Sequence, residues 1–146
     1  MIDLPSLGLD TEDAYPYTGK DGDCVFDETT VGATVGGVVN ITFQDEDELK
    51  TAVGTVGPVS IAYDCTYGFE FYSSGVYSST FCSDSQKRVN HAVLAVGYDH
   101  DEESGKDFWI VKNSWSSTWG LDGYFWIERG TYFHHDPFDT SASPRV

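Results

Sequence analysis

Two residues have the types and spacing that catalysis needs. They are His91 and Asn113, set 22 positions apart in a chain of 146. An asparagine oxygen can accept the proton of one imidazole nitrogen and so fix the tautomer. The other ring nitrogen then points outward and can take a proton from a nucleophile. The plainer reading, a buried histidine satisfied by a neighbouring amide, stays open on spacing alone. Three cysteines, Cys24, Cys65 and Cys82, are the candidate thiols. Their number is odd, so one is unpaired or bonded outside this chain. His134-His135-Asp136 carries metal-ligating side chains, but adjacent histidines in a tail are usually solvated, and no metal site is expected. Asn40-Ile41-Thr42 fits the N-glycosylation acceptor of a secreted protein.

The elements around His91 and Asn113 decide whether the two can meet. Ala92 to Tyr98 is apolar on both faces, which predicts a fully buried strand. Phe108 to Lys112 predicts a second strand and Gly123 to Glu128 a third, with Asp99 to Asp107 as a charged loop. The loop pairs the first two strands antiparallel. Its centre near residue 103 places His91 opposite about residue 115, and a slip of one or two residues brings it beside Asn113. Directly opposed residues lie about 5 Å apart.

Elsewhere the reading is coarser. Residues 8 to 30 are rich in Gly, Pro and Asp and predict loop. Val31 to Phe43 predicts irregular strand. One helix is expected from Asp45 to Val56, with Asp45 as its cap and Glu48 in a variant capping box. Its apolar face would be Leu49, Ala52, Val53 and Val56, and Gly57-Pro58 stops it. Val59 to Tyr63 predicts a short strand. Phe69 to Tyr77 is aromatic and broken at Ser73-Ser74-Gly75. The tail from Thr131 shows no period and is expected to be extended or loose.

Composition narrows the function classes. Eight basic and 24 acidic residues give a formal net charge of -16. That field repels phosphate backbones and anionic lipid, which argues against nucleic acid and against a membrane partner. Aromatic residues make up 15% of the chain, far from the composition of a disordered segment. The first residues lack the basic and apolar regions of a signal peptide. By length alone the chain fits one domain.

The segments Asn90-His91-Ala92-Val93, Trp109-Ile110-Val111-Lys112-Asn113-Ser114-Trp115 and Trp119-Gly120 resemble the papain-like cysteine peptidases. They are similar to that family's histidine strand and asparagine-tryptophan segment. Gly8 through Tyr17, Gly57-Pro58-Val59-Ser60-Ile61-Ala62 and Tyr72-Ser73-Ser74-Gly75-Val76-Tyr77 also resemble it. Gly75 through Val96 and Gly123 through Gly130 look most like cathepsin H-type members, so the resemblance covers residues 8 to 130.

The resemblance implies an α+β, papain-like fold, here the C-terminal, β-rich, right-hand and barrel-like half with one clear helix. Residues 1–30 would lead out of a missing N-terminal half. Residues 31–130 would form the domain with the catalytic pair, and 131–146 an atypical tail. His91 then corresponds to the histidine that forms a thiolate–imidazolium pair with a cysteine and protonates the leaving amine. Asn113 corresponds to the asparagine that orients it. Trp115 would cover the His–Asn hydrogen bond, and Trp119 would wall the leaving-group side of the cleft. Ala62, Val89, Asn90 and Ala92 would line the pocket for the substrate residue before the scissile bond. The resemblance implies no cofactor, a peptide or protein substrate, the N-terminal half as partner, and a lysosomal or extracellular location.

The chain departs from the family in three places. The nucleophile segment, of the type Cys-Gly-Ser-Cys-Trp, does not occur, since Cys24, Cys65 and Cys82 stand in Gly-Asp-Cys-Val, Tyr-Asp-Cys-Thr and Thr-Phe-Cys-Ser. Ser116 stands where the family usually has glycine, and a backbone at positive φ accepts serine poorly. After Gly130 the family's Cys-Gly segment is replaced by Thr131-Tyr132-Phe133-His134-His135-Asp136. By resemblance Cys24 would pair with a cysteine in the missing half and Cys82 with the one lost from the tail. Cys65 matches no bridge.

These observations imply a papain-like cysteine peptidase represented by its C-terminal part, inactive alone for want of the nucleophile. The alternative is a catalytically inactive truncated or pseudo-protease that binds or regulates. A third reading, an acidic aromatic β-rich binding module, requires a buried His91. The first two require an open edge at His91, exposing apolar surface that favours a partner chain.

Overall fold

The computed structural model describes residues 8–64, 67–79 and 89–130 in full, and the backbone of 139–145. Cys65, Cys82 and the histidine pair of the tail lie outside the described residues. The chain forms two compact units, residues 1–39 with 144–146, and residues 40–143.

In the first unit β1 (Gly8–Asp10) pairs antiparallel with β2 (Val31–Thr34), with Gly8 opposite Thr34 and Leu9 opposite Ala33. A Cβ on Gly8 would lie 2.4 Å from the Val31 side chain, so this approach requires glycine. The carboxylate of Asp10 accepts from the Asp27 amide at 3.1 Å and the Thr30 hydroxyl at 3.0 Å. These two bonds close the expected loop. A short β3 (Gly37–Val39) follows, so the stretch predicted as one irregular strand is two.

The second unit opens with α1 (Glu46–Thr55). Asp45 caps it, its side chain accepting from the Glu48 amide at 2.8 Å. The capping box is modified. The Glu48 carboxylate reaches past the cap to the Thr42 amide, also at 2.8 Å. Leu49 is fully buried, with Ala52 and Val53 packed against the same core. Val56, expected on that face, is exposed. It is the C-cap, where the helix has ended and its side chain has turned away from the sheet.

The strand order across this unit is β9 (Asp139–Arg145), β4 (Val59–Tyr63), β6 (His91–Asp101), β7 (Lys106–Lys112), β8 (Tyr124–Glu128) and β5 (Val76–Tyr77). All described neighbours pair antiparallel except β5 with β8. The tail, expected to be extended or loose, contributes the extended strand β9, with Ala142 opposite Ser60. The fold is α+β and β-rich, but among the described residues the sheet stays open and no barrel closes.

Three expectations are corrected here. The charged loop shrinks to a turn over 102–105, because Asp101 pairs with Lys106 and extends both strands. The first strand is buried on one face only: Val93 and Ala95 are buried, whereas Ala92 is exposed. The aromatic stretch before β5 begins as a 3-10 turn, Phe69–Phe71.

A β-bulge sets which residues face inward. Ala95 pairs with Val111 and Gly97 with Ile110, so Val96 is an extra residue. It brings Tyr98 onto the face of Ala95, where its ring meets Trp109 edge-on at 5.8 Å. The Trp109 indole N–H donates to Glu46 of α1 at 2.8 Å, and Glu46 also accepts from the Gly130 amide at 2.7 Å. The core between helix and sheet holds Leu49, Val59, Ile61, Val93, Trp109, Val111 and Phe125.

Candidate active site

His91 and Asn113 come together at the end of the sheet where β6 begins and β7 ends. His91 sits opposite Tyr63, on the face that carries Val93 and Ala95. β7 stops at Lys112, but the Asn113 amide still donates to the Gly123 carbonyl at 2.9 Å. That bond carries the chain straight into the site. Continuing the Leu94–Lys112 pairing by one step sets Asn113 opposite Val93. His91 and Asn113 are therefore diagonal neighbours on one face, within reach of long side chains. His91 Nε2 lies 2.9 Å from Asn113 Oδ1.

The surroundings settle which partner donates. The Ser114 amide donates to the same Asn113 oxygen at 2.8 Å. A flipped amide would turn Nδ2 donors toward that N–H, so the accepting atom is oxygen. An oxygen can only accept, so Nε2 carries the proton. In the neutral ring Nδ1 is left as the acceptor. Asn113 is 8% exposed, and among the described residues its buried Nδ2 has no hydrogen-bond partner. Such a group costs about 1–3 kcal/mol. Among the described residues Oδ1 carries the bonds that hold the amide in place.

An aromatic cluster surrounds the pair. The Trp115 indole lies 4.9 Å from the imidazole, tilted by 34°. Tyr63 meets the imidazole edge-on at 5.6 Å. Trp119 stands 5.0 Å from Trp115, nearly perpendicular, and its N–H donates to the Glu70 carbonyl at 2.7 Å. Beneath them lies Phe69, fully buried, with ring contacts to Tyr63, Tyr72, Tyr77, Trp115, Trp119 and Phe125. Trp115 itself is 36% exposed, so the cluster is solid below and open above.

The loop after Trp115 is tight. Ser116 adopts φ 78°, the left-handed conformation expected where glycine would be easier. Its hydroxyl contacts that of Thr118 at 2.8 Å. Gly120, at φ 59°, has no alternative, because a Cβ would sit 2.5 Å from the Tyr124 carbonyl.

Two of the expected pocket residues, Ala62 and Ala92, lie one step along the strands from Tyr63 and His91 and on the other face of the sheet. Ala62 is half-buried and opposite Ala92, which is exposed, and both face away from His91. Val89 is half-buried. The Asn90 amide donates to the Tyr63 carbonyl at 3.2 Å, and its side chain reaches the buried Asp64 carboxylate at 3.4 Å. Cys24 is an exposed free thiol in the first unit. Among the described residues no group of His, Cys, Asp and Glu is disposed to hold a metal, and no helix is long and apolar enough to cross a membrane.

Tyr63, Phe69 and Ser114 escaped the sequence reading. Tyr63 carried a signal, since it ends the strand that pairs with β6. Phe69 looked like one aromatic among several.

The α+β fold that holds this histidine and asparagine together is that of a class of proteins, the papain-like cysteine proteases, as comparison with known proteins shows. The family model for papain family cysteine proteases matches residues 4–142, and the chain belongs to that family. It is 55% identical over 123 residues to "Cysteine proteinase 3" of Solanum lycopersicum, covering 84% of this chain and 34% of that protein. To "Pro-cathepsin H" of Bos taurus it is 51% identical, covering 84% and 36%. Digestive procathepsin L2 proteinase of Tenebrio molitor superposes with a TM-score of 0.82 at 40% identity, over 95% of this chain and 43% of that one. Bromelain of Ananas comosus, solved with the E64 inhibitor, gives 0.76 at 32%, over 95% and 63%. The chain spans about a third of the length of the curated relatives it matches.

Proposed function

We propose that this chain supplies the histidine–asparagine side of a Cys-His-Asn peptidase, and that a preceding segment supplies the nucleophile. The observation that carries the reading is the Asn113 oxygen, fixed by the Ser114 amide and set 2.9 Å from His91 Nε2. With Nε2 so occupied, Nδ1 is the nitrogen that takes the thiol proton. The resulting thiolate attacks the peptide carbonyl and forms a thioester. The proton on Nδ1 passes to the leaving amine. Water, deprotonated by the same nitrogen, then releases the acid and regenerates the thiol. Asn113 keeps the ring in one tautomer throughout, and Trp115 limits water at that bond. Ala62, Val89, Asn90 and Ala92 line the pocket before the scissile bond. A small Ala62 and an apolar Val89 suit an apolar side chain there.

The chain by itself is inactive, because none of Cys24, Cys65 or Cys82 stands in a nucleophile segment. The same reading takes the protein through the secretory pathway to a lysosomal or extracellular site, a location supported by its likeness to cathepsin H. On that route exposed Asn40 carries a glycan, and Cys24 and Cys82 bridge to cysteines elsewhere. Residues 31–130 act as the domain that bears the pair.

The test compares the chain alone with a protein that includes its upstream coding sequence, using a fluorogenic peptide and a thiol-directed peptidase probe. Turnover by the longer protein, lost in His91→Ala, is expected, with none from the chain alone. Probe labelling of Cys24, Cys65 or Cys82 with turnover by the chain alone overturns the reading. A longer protein that binds the peptide without cleaving it supports the regulatory alternative.

A further inference from the structure

We propose that Glu70 selects a cationic side chain, lysine or arginine, on the leaving-group side of the scissile bond. The inference rests on the peptidase reading and assigns a substrate class to the same site. The backbone of Glu70 is joined to the site through contiguous contacts. The imidazole lies 4.9 Å from Trp115, Trp115 lies 5.0 Å from Trp119, and the Trp119 N–H holds the Glu70 carbonyl at 2.7 Å. Phe69, the preceding residue of the 3-10 turn, is buried in the aromatic cluster and fixes the backbone at Glu70 from below.

The side chain of Glu70 is exposed and oriented. Its Oε2 accepts from the Gly68 amide at 2.9 Å. Among the described residues no lysine or arginine pairs with it; their ion pairs go to Glu128 and Asp107. A positioned carboxylate without a counter-ion, at the edge of a substrate site, is what a cationic side chain requires.

The neighbouring side chains suit the same ligand. Phe71 and Tyr67 are 76% and 96% exposed, and Trp119 is half-buried. Lysine and arginine lay their methylene stems along such surfaces and keep the charge at the tip. An aromatic face adds cation–π attraction. The formal charge of -16 acts in the same direction at longer range. An exposed ion pair with one cation–π contact is worth about threefold to tenfold in kcat/KM.

The experiment uses the full-length protein and three quenched peptides that differ only in the residue after the scissile bond, lysine, glutamine or glutamate. The lysine-to-glutamine ratio of kcat/KM is expected at about threefold to tenfold at low salt, falling toward unity in about 1 M salt. Glu70→Gln should abolish the ratio, and Glu70→Lys should turn the preference toward glutamate. The ratio is internal to each variant, so a general loss of activity does not move it. If neither variant folds, the salt dependence of the wild type decides. A wild-type ratio near one, or a ratio unchanged in Glu70→Gln, overturns the proposal while leaving the peptidase reading standing. Failure to cleave any of the three overturns both.

Discussion

Replacing Asn113 with alanine should change which nitrogen of His91 carries the proton. In the structure the Ser114 amide identifies the Asn113 atom facing Nε2 as the oxygen, which has no proton to donate, so Nε2 donates to it. The net worth of such a bond is about 0.5–1.5 kcal/mol, so losing it shifts the tautomer ratio by about 2-fold to 13-fold toward Nδ1–H. The direct assay is nitrogen-15 NMR of the histidine side chains at about pH 9, above the ordinary range of imidazole titration. The chain has four histidines, and loss of a signal in His91→Gln assigns the one that matters. The wild type should show the Nε2–H form. Asn113→Ala should lose it by the stated factor. Asn113→Asp keeps an oxygen acceptor and should retain it. Trp115→Phe touches neither hydrogen-bonding atom and should leave the ratio unchanged. A wild-type ring protonated on Nδ1, or an Asn113→Ala ratio equal to that of the wild type, refutes the reasoning.

Three other perturbations test the frame around the pair. Phe69→Ala removes the fully buried ring that the other aromatics share, and urea unfolding should show a loss of about 3–5 kcal/mol. At Ser116, φ 78° predicts that glycine is better than alanine. Both variants delete the hydroxyl, so their difference isolates the backbone. Ser116→Gly should exceed Ser116→Ala by about 1 kcal/mol, the left-handed cost less the entropy of glycine. The third concerns the hairpin end, where His100 Nδ1 meets Asp107 at 2.8 Å. The Asp107 hydrogen bond raises the His100 pKa above 6.5 and depresses that of Asp107 below 3.8. The histidine's contribution is complete below its unfolded value and fades as pH rises through the folded one. The aspartate's is complete above its unfolded value and fades as pH falls through the folded one. The pair is thus strongest between those limits, and Asp107→Asn should lower the NMR titration midpoint of His100.

Much of this protein could be read from its residues. Helix α1, its Asp45 cap and strand β4 follow local rules, because a cap and a short period are satisfied within a few residues. The family was legible for a different reason. Asn90-His91-Ala92 and Asn113-Ser114-Trp115 are each contiguous, and several such separate segments stand in one order along the chain.

Hairpin geometry went only part of the way. Counting from the middle of the turn placed His91 opposite residue 115, and the observed register agrees with that count. Yet the contact to Asn113 is diagonal, and the backbone bond from Asn113 to Gly123 carries it. Both depend on β8, which the hairpin does not contain. The bulge at Val96 was equally illegible, since one unpaired residue leaves no mark on an apolar run. So was the single buried face of β6, because a continuous apolar strand looks the same whether one side or both are covered.

By itself the sequence determined the chemical types at the site, the local elements and the family, since these depend on side-chain identity and near neighbours. The tertiary structure alone decided that Ser114 fixes the Asn113 amide. It also decided that Phe69 supports two indoles at once, and that no lysine or arginine among the described residues pairs with Glu70 beside them. Each of these is a meeting of groups brought together by sheet register and core packing, and residue order does not encode such distances.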